Sequence, residues 1–132
     1  GSVGKTISLS SAWRSVAQQF LLYEFKQKGK CGQTNPVATP GTSNHEGGVA
    51  IDVPDYGTWK SHLTSNGWNY PLPTSDRVHF EHGSGASAYA KKNLIAFQRL
   101  HNKHNPTKKI SEDGVFGPAT AAALNSAPCG GW

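Results

Sequence analysis

The 132-residue chain contains no run of about 18 apolar residues, the length a helix needs to cross a bilayer, and this excludes a membrane-spanning helix. Cysteine is scarce. Cys31 and Cys129 are the only two, and neither belongs to a CxxC pair, which argues against a cysteine-built metal site. One disulfide or two free thiols remain, and a Cys31–Cys129 bond is the expectation because the chemistry below belongs outside the cytoplasm. Acidic residues are also few, eight Asp and Glu against thirteen Lys and Arg. The imbalance lies at the C-terminal end: residues 1–85 carry seven basic side chains against six acidic, and residues 86–132 six against two. Such asymmetry suits a polyanion, whether nucleic acid, an anionic membrane surface or an anionic cell wall, or else is a solvated face. No recognition-helix or RNP pattern occurs in the tail, which argues against nucleic acid. Fifteen Gly and eight Pro follow no short period, so collagen-like sequence is excluded and a loop-rich fold is expected.

Within residues 10–25, Trp13, Val16, Ala17, Phe20 and Leu21 recur at helical spacing behind the capping pair Ser10-Ser11, which predicts a helix with one buried face. Residues 29–48 read as a long loop rich in Gly, Pro, Thr, Ser and Asn. Val49, Ile51 and Val53 alternate with Ala50 and Asp52, predicting a short strand with Asp52 opposite its apolar face. A short helix over 56–63 stops at Gly67, and Trp68 opens an extended piece. In the second strand, 77–81, Val78 and Phe80 face one way and His79 the other. Residues 83–88 form the best linker. Beyond it, Leu94, Phe97 and Leu100 mark one helical stripe, and Gly117-Pro118 starts a second short helix.

His45 in a loop and Asp52 in a strand stand seven residues apart, within reach of one point. With His79 they make two imidazoles and a carboxylate, a set that suits zinc with a fourth position left for water, as in catalytic sites. The bland alternative is three unrelated polar residues. His45-Glu46 does not begin an HExxH motif, because Val49 stands where the second histidine would be.

The segment Ser43-x-His45-x-x-Gly48-x-Ala50-x-Asp52 resembles the SxHxxGxAxD signature of the zinc D-alanyl-D-alanine carboxypeptidases and their relatives, including VanY-like enzymes and phage L-alanyl-D-glutamate endopeptidases. Asp76-x-x-His79-Phe80-Glu81 is similar to the family's second element in its endopeptidase form, and Ser11-x-x-Arg14-Ser15 to its SxxRS stretch. The resemblance covers residues 11–82. It implies His45, Asp52 and His79 as Zn2+ ligands, Asp76 as the general base, and Arg14 as the cation that holds a substrate carboxylate or a developing oxyanion. Asp76 is shorter than the Glu of the carboxypeptidase branch, so the base's reach differs from that branch, and the Asp-x-x-His-Phe-Glu form together with the wall-binding-like tail favours the L-Ala-D-Glu bond slightly over the D-Ala-D-Ala bond. Glu81 shares a strand face with His79 and is expected to orient it, whereas His82 falls on the opposite face. His62, His101 and His104 match nothing in the family and read as surface residues.

The tail, with Phe97-Gln98, Asp113-Gly114, Gly117-Pro118, Thr120 and Ala123-Leu124, resembles a peptidoglycan-binding helical repeat, although these are also ordinary turn and helix-start signals. The expected protein is therefore α+β: a small, mostly antiparallel sheet with a zinc site, flanked by helices, in the manner of the hedgehog and D-Ala-D-Ala-peptidase folds. Residues 1–85 form the catalytic lobe, and residues 86–132 a small helical segment, packed alongside or as part of one domain. The expected partner is peptidoglycan, with no nucleic acid, acting outside the cytoplasm as a monomer. The alternative is a zinc-containing wall-binding or signalling module of the same fold without catalysis.

Overall fold

The structure is a computed structural model that describes residues 4–83 and 86–128. In chain order it contains α1 (Val16–Gln27), β1 (Ala50–Asp52), α2 (Tyr56–Ser65), β2 (Trp68–Asn69), β3 (His79–His82), α3 (Ala86–His104) and α4 (Pro118–Ser126). The three strands make an antiparallel sheet ordered β1-β3-β2, which is the expected α+β architecture.

The first helix begins later than the apolar spacing predicts. Ser15 is its N-cap: its Oγ accepts the Gln18 N–H, and the Gln18 side chain accepts the Ser15 N–H in return. Upstream, Ser10 N–H donates to the Asp52 carbonyl and Asp52 N–H to the Ser11 carbonyl, so this segment runs extended along the free edge of β1. Sheet pairing satisfies backbone groups that a longer helix would have had to satisfy itself. Trp13, expected on the buried face, is consequently 61% exposed, and Leu21 is 52% exposed. Val16 and Phe20 do reach the core.

In the β1–β3 register Ala50 faces Glu81, Ile51 faces Phe80 and Asp52 faces His79. Directly opposed residues project to the same side, which brings Asp52 and His79 together. Phe80 points into the interior with no exposure and packs on Tyr70 at 4.9 Å between ring centroids.

A second centre of packing joins the two ends of the chain. Val16 and Phe20 of α1 bury against Leu94 of α3 and Leu124 of α4, with Phe97, Phe116 and Ala121 around them. The connection between α3 and α4 is pinned by side chains one helical turn apart. Gln98, fully buried, accepts the Gly114 N–H at 2.8 Å and donates to Asp113, Thr120 and the Val115 carbonyl. Asn102 accepts from Ile110 N–H and donates to the Ile110 carbonyl and Glu112. The Gln98, Asp113-Gly114 and Thr120 positions of the repeat-like pattern thus build one turn. Gly114 cannot be replaced there, because its φ is +67° and a Cβ would stand 2.6 Å from the Lys91 side chain.

Three further expectations are corrected. His101 is buried, not a surface residue, and its Nε2 lies 3.1 Å from the Lys108 carbonyl, closing the end of α3. Leu100 is 45% exposed, because the buried stripe of α3 runs through Ala90, Leu94 and Gln98. Cys31 is an exposed free thiol and not half of the expected bond; Cys129 lies outside the described residues, as do residues 84 and 85 of the expected linker.

Candidate metal centre

His45 sits in a tight turn in which Gly47 N–H donates to the Ser43 carbonyl, Gly48 N–H to that of His45 and Val49 N–H to that of Asn44. The turn closes at Gly48 with φ +71°, a conformation that favours glycine. Ser43 Oγ accepts the His45 N–H, and Ala50 is 97% removed from solvent where β1 packs, with 3% exposure. Ser43, Gly48 and Ala50 of the sequence signature therefore shape the backbone, and His45 and Asp52 carry the chemistry.

Each imidazole is held from outside by one ring nitrogen and presents the other inward. His45 Nδ1 lies 2.7 Å from the Ala12 carbonyl, on the edge segment beside β1. His79 Nε2 lies 2.9 Å from Glu81 Oε1, two residues along the same strand. The inward nitrogens, His45 Nε2 and His79 Nδ1, are 3.2 Å apart and stand 3.3 and 3.2 Å from Asp52 Oδ1. Tetrahedral zinc with bonds of about 2.0–2.1 Å places its ligand atoms about 3.3 Å apart, so the spacing and the donor chemistry fit that ion. These residues form a group that could hold a metal, and the outer partners fix the tautomers such binding requires.

The other carboxylate oxygen of Asp52 faces Arg14, whose NH2 lies 3.7 Å away. Arg14 is not on a helix surface. Its side chain is mostly buried, with NH1 donating to Gln19 Oε1 at 2.8 Å and NH2 to Ser11 Oγ at 2.9 Å. Burial lowers its pKa, against the pull of Asp52, Glu46 and Asp76. For Asp52 itself, burial works upward, yet the hydrogen bonds and charge of His45 and His79 win and hold the carboxyl well below the usual range. His79 is pushed up, because Asp52 and Glu81 outweigh its burial.

Asp76 lines the same cleft of about 330 Å³ as His45, Asp52, His79 and Arg14. Its pKa is raised by burial and then by the negative charge of Asp52. The structure thus brings together all five residues singled out from the sequence. His82 packs instead against Trp68, at a tilt and 5.2 Å between ring centroids.

Three participants escaped the sequence reading. Gln19, 1% exposed, links Arg14 to the loop by donating from Nε2 to the Ala38 carbonyl. Its signal was a polar residue on the apolar face of α1, three after Val16. Asn35 donates from Nδ2 to Asp76 Oδ1 at 3.0 Å across 41 residues, and no local pattern announces it. Glu46, also 1% exposed, accepts the N–H groups of Gly41 and Ser43, and burial pushes its pKa up to about 7.

Two imidazoles and a carboxylate that could hold a metal ion thus line one cleft, on a small antiparallel sheet. The model of the VanY D-alanyl-D-alanine carboxypeptidase family matches residues 2–81, and the chain belongs to that family. No curated protein and no solved structure matches it. The matched region holds the whole cluster and all of the sheet except His82, and stops before α3. The family is one of peptidases acting on peptidoglycan, and among the described residues no helix is long and apolar enough to cross a membrane.

Proposed function

We propose that the protein is a zinc-dependent hydrolase of peptidoglycan stem peptides that acts outside the cytoplasm. The observation that carries this reading is the trio of contacts, 3.2 to 3.3 Å, among His45 Nε2, His79 Nδ1 and Asp52 Oδ1. Zinc held by these three residues supplies Lewis acidity, polarising the scissile carbonyl and acidifying water. Asp76 takes the proton from the attacking water on its carboxylate and delivers it to the leaving amine. Asn35 holds one oxygen of that carboxylate and leaves the other for the transfer. Arg14, the one Arg or Lys lining the cleft among the described residues, is anchored by Gln19 and Ser11 and directs its remaining N–H groups toward negative charge on the substrate.

Both candidate bonds suit Arg14. In D-Ala-D-Ala and in L-Ala-D-Glu, where D-Glu continues through its γ-carboxyl, the leaving residue bears an α-carboxylate next to the amine. The Asp-x-x-His-Phe-Glu element favours L-Ala-D-Glu. The basic residues of the tail suit an anionic wall.

The test is digestion of purified peptidoglycan by the zinc-loaded and the chelator-treated protein, with mass spectrometry of the fragments. New N-terminal D-Glu ends that depend on zinc are expected. Loss of a single terminal D-Ala would reassign the bond, and the absence of any zinc-dependent product from walls of several peptide chemistries would overturn the catalytic reading.

A further inference from the structure

Beside the cleft runs a second, shallower groove of about 460 Å³, and the two share Arg14 and Leu22. Trp13 and Leu21 form its apolar surface, 61% and 52% exposed. The other tryptophans with described ring contacts are covered, Trp59 by His62 and Trp68 by His82, whereas no ring or cation packs on Trp13 among the described residues. Hydrogen-bonding groups border the indole. Ser11 Oγ accepts from Arg14 and keeps its own proton for donation, and Gln18 uses Oε1 in the helix cap, which leaves Nε2 available.

The position is fixed tightly to the metal cluster. Trp13 follows Ala12, whose carbonyl holds His45 Nδ1 at 2.7 Å, and precedes Arg14, 3.7 Å from Asp52. Through that carbonyl the Trp13 Cα lies within roughly 8 Å of the inward His45 nitrogen, by standard bond lengths. A flat apolar face rimmed by hydroxyl and amide groups suits a pyranose, which offers C–H groups on its face and hydroxyls at its edge.

We propose that Trp13 is the platform of a saccharide subsite that binds the amino sugar to which the stem peptide is attached. The inference rests on the peptidase reading above and sharpens it. One residue, L-Ala, separates the sugar's lactyl group from the L-Ala-D-Glu bond, and one extended residue spans about 3.5 Å. The D-Ala-D-Ala bond lies about three residues further, roughly 10 Å more, out of reach of an indole so near the cluster. A saccharide platform here therefore belongs with cleavage next to the sugar.

The test compares two substrates of the zinc-loaded protein, L-Ala-γ-D-Glu-L-Lys with a free amine and the same tripeptide carrying N-acetylmuramic acid on L-Ala. Covering about half of the exposed indole corresponds to roughly tenfold in kcat/KM at the usual apolar-burial coefficient, so the muramyl substrate is expected to be preferred by that factor. Trp13→Ala is expected to bring the ratio of the two values to near one, and Trp13→Phe to keep most of it. A ratio of one in the parent protein, or a ratio that Trp13→Ala leaves intact, overturns the inference while the peptidase reading stands. A second readout does not need turnover: in the zinc-free protein, N-acetylmuramyl tripeptide is expected to shift the indole N–H resonance that Trp13→Phe removes. An unmoved resonance overturns the subsite even if neither peptide is cut.

Discussion

Glu81 gives the sharpest test of how this centre is held. Its Oε1 sits 2.9 Å from His79 Nε2, so it accepts that N–H and leaves Nδ1 to face Asp52. The corresponding anchor of His45 is the Ala12 backbone carbonyl, which substitution cannot delete. Replacing Glu81 by Ala frees the His79 ring to rotate and to adopt the other tautomer. Losing such an outer partner costs about 10–100-fold in metal affinity. Glu81 is 26% exposed in its side chain, so water partly replaces it, and the lower part of that range is expected, about 1.5–2 kcal/mol. Glu81→Gln keeps an acceptor for Nε2–H without the charge and should lose only a few-fold. Competition for zinc against a chromophoric chelator measures both, with the melting temperature of the metal-free variants confirming that they fold. A Glu81→Ala protein that holds zinc as tightly as its parent refutes this account of the His79 geometry.

Other predictions follow from the same contacts. His45→Ala, Asp52→Ala and His79→Ala are expected to abolish zinc retention, whereas Asp76→Ala should keep the metal and lose turnover, which metal analysis and peptide hydrolysis separate; full activity in Asp76→Ala would remove the base from the mechanism. Glu46 has its pKa raised from 4.5 to about 7, so the stability it contributes is complete below about pH 4.5 and disappears as pH rises through 7. Urea unfolding of the metal-free protein should therefore show the parent losing on the order of 3 kcal/mol relative to Glu46→Gln between pH 4.5 and 8, and parallel curves would be the contrary result. Gln98→Ala strips partners from the Gly114 N–H and Thr120 and leaves a void, at a cost of about 3 kcal/mol in the same assay; a change under about 1 kcal/mol would mean that the α3–α4 connection does not depend on it.

The short-range signals in the sequence were sufficient wherever chemistry and backbone need coincide. The loop histidine, the strand aspartate and His79 are legible because a left-handed Gly48, a small Ala50 and a period of two leave few alternatives. Apolar spacing marked α1 and α3, and Gly117-Pro118 marked the start of α4. The same spacing misplaced the start of α1, since a helical stripe cannot reveal that residues 10 and 11 have a strand to pair with. That pairing decides much of the site: it orients His45 through Ala12, swings Arg14 toward Asp52 and turns Trp13 out to solvent. His101, Gln19, Asn35 and Glu46 belong to the same class, polar residues whose partners are remote in sequence or backbone groups of a loop. Sequence by itself marked which side chains are candidates to share one centre, because residue type, local period and the resemblance to a peptidase family specify chemistry and face. Tertiary structure alone decided the 3 Å distances, the outer partners and the perturbed ionisations, because burial and hydrogen bonding across tens of residues exist only once the chain has closed on itself.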